Sequence, residues 1–143
     1  MANSRYVAYL DDDNVWRSNH LSELLSVVHD KAWAFAQRML VDQETGAELV
    51  VDRWDSLGPG EGRFAAQGGF VDPNCLLLDK VICARFLSRW SETGSSQAGV
   101  TADRHFFAAI RDLPHGCVAK PTVLYGIRST SIFHHFMKHD VKF

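Results

Sequence analysis

The chain has 143 residues, the size of one ordinary domain, and 46% hydrophobic with 22% charged residues suffices for a packed core and excludes a disordered polymer. A formal net charge of −2 with no dense Lys/Arg run gives no electrostatic reason to expect a nucleic-acid partner. No apolar run reaches membrane-spanning length, and Asp11 to Asp13 interrupt the one run that could start a signal peptide. The three cysteines, Cys75, Cys83 and Cys117, form no CxxC pair and read as reduced thiols of a cytoplasmic protein, two of them facing the core.

The opening run Tyr6-Val7-Ala8-Tyr9-Leu10 stops abruptly at Asp11-Asp12-Asp13-Asn14. Its β-branched and aromatic content predicts a strand buried on both faces. Ser18 stands as the N-cap of a helix whose Leu21, Leu24, Leu25 and Val28 recur at helical spacing. Residues 32–41 alternate, Trp33, Phe35 and Met39 against Ala34, Ala36, Arg38 and Leu40, which predicts a strand. The turn Gln43-Glu44-Thr45-Gly46 and the return run Leu49-Val50-Val51 make it a hairpin.

Gly58-Pro59-Gly60-Glu61-Gly62 predicts an irregular loop, and Asp72-Pro73-Asn74 a turn. Cys75 to Leu78 predicts a short strand; a helix follows from Asp79 to about Trp90, with Ile82, Phe86 and Trp90 in line. Thr93 to Gly99 is Gly/Ser-rich and predicts a flexible surface loop. Thr101 caps a helix carrying Phe106, Phe107 and Ile110 that ends before Pro114. Pro121 marks residues 118–125 as an edge strand or extended segment. Ser129 or Thr130 caps a last short helix with Phe133, Phe136 and Met137.

The chemistry concentrates in the acids that end the first strand. Three adjacent carboxylates repel unless a cation lies between them, and a hard divalent cation with oxygen ligands suits them. The plain alternative is a solvated acidic turn ahead of the first helix. His134-His135 with His139 gives an i, i+4 pair, His135 and His139, a spacing open to zinc, although a polar face of the last helix accounts for it.

In chain order, Leu10-Asp11-Asp12-Asp13-Asn14-Val15-Trp16, Gln67-Gly68-Gly69-Phe70, Thr101-Ala102-Asp103-Arg104 and Leu124-Tyr125-Gly126-Ile127-Arg128 resemble the catalytic half of family 2 glycosyltransferases with the GT-A fold, over nearly the whole chain. The resemblance implies one α/β domain over residues 1–143, a mixed β-sheet flanked by helices as in a truncated GT-A fold. It implies metal-dependent, inverting transfer of a sugar from a nucleotide-sugar to a sugar, lipid or protein acceptor. Asp11 and Asp13 then form the DxD motif that holds Mg²⁺ or Mn²⁺ against the diphosphate. Asp11 either ligates the ion or faces the ribose, and Asp12 lies behind the ligands or turns away. Trp16 joins the substrate site.

Asp103 becomes the general base that deprotonates the acceptor hydroxyl, although Ala102 stands where the family carries Glu. An N-terminal acid that stabilises its own helix is the bland reading of Asp103. Gly68 and Gly69 let backbone approach the donor or acceptor closely, or simply form a turn. Arg128 stands near where relatives carry a metal-binding His, and an Arg pairs with diphosphate oxygens instead. Trp54 and Asp55 line an acceptor site or belong to the core.

The units that precede the DxD strand in GT-A enzymes are missing here, which leaves the strand Tyr6–Leu10 short of a neighbour. An apolar sheet edge invites another chain, so a homodimer or higher oligomer is expected. The alternative to an active transferase is a non-catalytic remnant that serves as a binding or oligomerisation module. An unrelated α/β domain whose acids are a structural cap is the third reading.

Overall fold

The computed structural model of the chain describes residues 3–91 and 101–143. One mixed sheet organises it. In chain order its strands are β1 (Tyr6–Ala8), β2 (Asn14–Trp16), β3 (Trp33–Asp42), β4 (Glu48–Val51), β7 (Leu76–Asp79) and β8 (His115–Ile127). The short strands β5 (Gly58–Pro59) and β6 (Gly69–Phe70) form a separate pair. Helix α1 (His20–Val27) lies between β2 and β3, α2 (Ala102–Ile110) precedes β8, and α3 (Ile132–Lys138) follows it. The sheet order is β1-β7-β3-β8-β2, with β4 on the far half of β3. The class is therefore mixed α/β.

β3 is the spine, and its alternation is realised. Trp33 and Phe35 pack on one face with Phe106, Phe107 and Ile110 of α2. Ala34 and Ala36 turn to the other face, against Leu24 and Val28 of α1. Large side chains on one face and alanines on the other let α1 lie close to the sheet. α3 closes the far end, where Phe133 and Phe136 meet Leu40, Trp54 and Ile127. Ser131, rather than Ser129 or Thr130, caps α3, its hydroxyl accepting from the Phe133 N–H. The hairpin of β3 and β4 forms as expected, with Asp42 tying the turn through the backbone N–H groups of Glu44 and Thr45.

β8 is an edge only in part: it runs parallel to β3 along its length, whereas β2 flanks it, antiparallel, only at Val123–Tyr125, so the stretch holding Pro121 has no second strand partner among the described residues. Pro121 is tolerated because the ladder slips there: Ala36 faces Val118, Gln37 faces Pro121, and Arg38 faces Val123. A bulge absorbs the missing N–H and twists the strand. The Pro121 and Thr122 carbonyls accept from Arg17 instead.

The opening strand also departs from expectation. β1 is only half-buried, because it stands at the sheet edge with β7 as its one strand partner among the described residues. The chain leaves the sheet after Ala8, and Leu10 is 48% exposed. In α1, Asn19 rather than Ser18 is the N-cap, without a side-chain bond. Leu24 and Val28 are buried, but Leu21 and Leu25 remain 42% and 48% exposed and line a groove with Tyr6, Ala8, Trp16 and Leu77. The edge strand β1 and the uncovered leucines thus border one surface.

The expected helix from Asp79 resolves into a turn and a 3-10 helix, Ala84–Ser91. The buried Asp79 carboxylate pairs with Arg5 and accepts from the Val81 and Ile82 N–H groups in the manner of an N-cap, and its carbonyl accepts from the Cys83 N–H, so a single helical turn precedes the 3-10 helix. Gly58-Pro59 is not wholly irregular, since it bridges to Gly69-Phe70. The predicted loop at 93–99 lies outside the described residues. Cys75 and Cys83 are buried and Cys117 is exposed, as expected. Among the described residues, no helix is long and apolar enough to cross a membrane.

His20 exposes how α1 is seated. Its Nδ1 lies 2.7 Å from the Thr122 hydroxyl, its ring stacks on Trp16 at 4.7 Å, and its Nε2 is buried without a partner among the described residues. Burial pushes the imidazole down to about 4 from its usual 6.5. Protonation then favours the unfolded chain, and this residue removes stability as pH falls from 6.5 towards 4. The melting temperature should fall more steeply across that window in the native chain than in His20→Gln; equal slopes would refute the assignment.

Candidate functional site

The acid loop between β1 and β2 is anchored from below by a buried polar relay. The Asp11 N–H donates to the Asn74 side-chain oxygen at 2.7 Å, and Asn74 Nδ2 donates back to Asp11 Oδ2 at 2.8 Å. The same Nδ2 donates to Asp72 Oδ1 at 2.8 Å. Asp72 Oδ2 in turn accepts from Arg38 Nη1 at 2.7 Å, and Arg38 Nε donates to Asp52 Oδ2 at 2.7 Å. Trp16 closes the loop, its indole N–H donating to the Asn74 carbonyl at 2.9 Å. Asn74 thereby satisfies both its donors and its acceptor, which fixes its amide and the orientation of Asp11.

Arg38 is the hub of the relay. Its side chain is 2% exposed and meets Asp52, Asp72 and, at 3.9 Å, Asp55. Its guanidinium carbon sits 3.9 Å from the centre of the Tyr125 ring. Asp52 also accepts from the Trp54, Asp55 and Ser56 N–H groups. Burial would raise the Asp52 pKa, but Arg38 and those N–H groups hold it below the usual carboxylate range. Asp55 goes the other way: burial pushes it up to about 6 against the pull of Arg63. Arg63 Nε lies 2.8 Å from Asp55 Oδ1 but is not aligned as a hydrogen bond.

The expected site residues divide between two places. Asp13 and Arg128 come together: with Gln43, Tyr125, Thr130 and Ser131 they wall an open, mostly polar hollow of about 280 Å³. Asp13 Oδ1 accepts from Asn14 Nδ2 at 3.0 Å, and Arg128 Nε reaches Gln43 Oε1 at 3.3 Å. Each keeps further polar atoms for a ligand. Asp11, Asp12 and Asp13 are all exposed, and Asp12 makes no side-chain hydrogen bond among the described residues.

Asp103 sits in the first turn of α2, where its Oδ1 accepts from the Arg104 N–H, and it is not among the walls of the Asp13 hollow. Gly68 and Gly69 have φ of 94° and 82°. A Cβ on Gly69 would collide with the Gly58 carbonyl and the Gly60 nitrogen, and one on Gly68 with Arg111. Their space is taken by the chain itself. Trp54 is core: fully buried, its indole N–H donates to the Val141 carbonyl. Of the C-terminal histidines, His135 and His139 lie tilted against each other with ring centres 4.4 Å apart, while His134 approaches the Arg128 carbonyl.

Among the described residues, no three carboxylate, imidazole or thiolate groups converge as a metal cage. The donor set at the acid loop is nonetheless of the right chemistry for Mg²⁺ or Mn²⁺. Asp11 and Asp13 each have one oxygen engaged by an amide and one free, and Mg²⁺ is commonly held by one or two carboxylates with phosphate and water completing its shell.

Asp72 and Asn74 were legible only as a turn, and Arg38 only as a member of a strand face. The available signal was an arginine inside the apolar run Trp33-Ala34-Phe35-Ala36-Gln37-Arg38-Met39-Leu40. Such a residue, if buried, requires acids. No protein-family model matches the chain, and no curated protein matches it in sequence.

The relay generates a stability prediction. Arg38→Met leaves Asp52 and Asp72 buried without their cation and should cost about 3–5 kcal/mol. Asn74→Ala should cost about 1–3 kcal/mol by leaving Asp11 and Asp72 short of a donor. Urea unfolding measures both, and a loss below that of Asn74→Ala for Arg38→Met would contradict the hub.

Proposed function

We propose that this chain is a glycosyltransferase-like domain of truncated GT-A type that takes a divalent cation and the diphosphate of a nucleotide-sugar at the Asp11–Asp13 loop. The observation that carries the reading is the pairing of Asp13 with Arg128 on one open hollow. A carboxylate suited to a cation and a guanidinium suited to phosphate oxygens lie on the same wall. The relay through Asn74 and Asp72 adds support, since it orients Asp11 before any ligand arrives.

Within this reading Asp11 and Asp13 hold Mg²⁺ or Mn²⁺, and Asp12 stays in solvent beside them. When bound, the ion neutralises charge on the leaving diphosphate. Arg128 pairs with diphosphate oxygens, and the Tyr125 ring floors the hollow. Asp103 keeps one carboxylate oxygen free of its own helix to accept the proton of an acceptor hydroxyl. Trp16 holds the acid loop from behind through the Asn74 carbonyl, while Gly68 and Gly69 take no part in this hollow.

A second reading is a non-catalytic remnant that retains only the cation and diphosphate site. The separation of Asp103 from the walls of the Asp13 hollow favours it. The edge position of β1, with the groove holding Leu21 and Leu25 beside it, supports association with a second copy of the chain.

Calorimetry with UDP- and GDP-sugars, with and without Mn²⁺, tests the common core. Binding should require Mn²⁺ and vanish in Asp13→Asn, while Arg128→Gln should weaken the nucleotide and leave Mn²⁺ binding intact. Unchanged binding in Asp13→Asn would refute both readings. Sugar-nucleotide turnover that Asp103→Asn abolishes marks the transferase; Mn²⁺-dependent binding without turnover marks the remnant. Light scattering should show a mass above that of one chain, reduced by Leu21→Lys with Leu25→Lys, and a stable monomer at high concentration would overturn the association.

A further inference from the structure

A separate and more enclosed cavity of about 160 Å³ lies between α2 and the segment leading through β6. It shares no wall residue with the Asp13 hollow. Phe64, Phe70 and Phe107 supply its apolar walls, and Arg104, His105 and Arg111 its polar ones. Arg104, Phe107, Ala108 and Arg111 recur at helical spacing, so one face of α2 forms one side of the cavity.

Its charge is one-sided. Among the described residues, two guanidinium groups stand in the walls and no carboxylate does. Arg104 lies 4.1 Å over the Phe64 ring and 5.8 Å from that of Phe70. Its guanidinium has no hydrogen bond or ion pair among the described residues. The acid whose field it shares, Asp55, is already faced by Arg63 and Arg38. Arg111 spends Nη1 on the Gln67 carbonyl at 2.6 Å and turns Nε towards the exposed Asp112 at 3.7 Å. His105 adds a buried Nε2 with no partner among the described residues. Guanidinium groups half-enclosed by phenyl rings are poorly hydrated, which makes an incoming anion worth more there than at an open surface.

We propose that this cavity binds an organic anion: a carboxylate or phosphate head carried on a compact, flat apolar body. The body lies among Phe64, Phe70 and Phe107, and the head meets Arg104. A cavity of roughly 150 Å³ accommodates a benzene ring, which places benzoate near the right size. This site is independent of the nucleotide-sugar reading, and its test involves neither nucleotide nor metal.

The full chain is titrated with benzoate, phenyl phosphate and benzamide, followed by calorimetry and by the aromatic and arginine side-chain NMR signals. Benzoate or phenyl phosphate should bind saturably and shift the Phe64 and Phe107 resonances, with benzamide at least about tenfold weaker. The tighter of the two anions identifies the head group. Arg104→Gln should abolish the preference for anions over benzamide, while Arg104→Lys keeps part of it. Ala108→Leu should narrow the cavity and weaken all three. Thermal melts of each variant separate lost binding from lost folding. Equal affinity for benzamide and benzoate, an undiminished preference in a folded Arg104→Gln, or no saturable binding would each overturn the proposal.

Discussion

A single buried guanidinium organises the polar interior of this fold. Arg38 sits mid-way along the central strand, at the point where the ladder to β8 slips, and Asp52, Asp55 and Asp72 gather around it. Removing such a charge from water costs several kcal/mol, so it is stable there only because carboxylates compensate it. Those acids come from two separate loops, Asp52 and Asp55 from one and Asp72 from the other, and the arginine therefore decides where each loop lies. Tyr125 caps the guanidinium, and Trp54, held by Asp52, begins the aromatic cluster that seats α3.

The same cation reaches the surface through two short paths. One runs through Asp72 and Asn74 to the Asp11 carboxylate. The other runs through the Tyr125 ring to the hollow walled by Asp13 and Arg128. An exposed acidic turn without such support would sample many conformations and lose entropy on gripping a ligand. Here one carboxylate is oriented in advance by groups fully inside the protein.

Local pattern revealed the periodic elements and missed what depends on partners distant in sequence. The alternation of residues 32–41, the hairpin turn at Gly46 and the apolar faces of α2 and α3 were legible because their periods are intrinsic to strand and helix. Pro121 marked a stretch with one strand partner among the described residues, but the bulge opposite it was not legible, because a bulge is a property of the strand pair. After Asp79 the start was legible, a capped turn, but the helical spacing beyond it is realised as the tighter 3-10 form. At the site, Asp13 and Arg128 were named from sequence and do share a wall. Asn74 and Asp72 went unnoticed, because an Asp-Pro-Asn string looks like any turn until its neighbours are known.

The parallel union of β3 with β8 carries a kinetic consequence. Trp33 faces His115, 82 positions further along, and the ladder continues from there to Asp42 and Ile127. Contacts that far apart demand closure of a long loop before any of them contributes, which raises the barrier to reaching the native topology. Until β8 arrives, β3 presents its apolar residues along an open flank, and Arg38 lacks the aromatic lid over its charge. The chain should therefore cross its rate-limiting barrier late and cooperatively, with the central strand the segment most exposed to aggregation on the way.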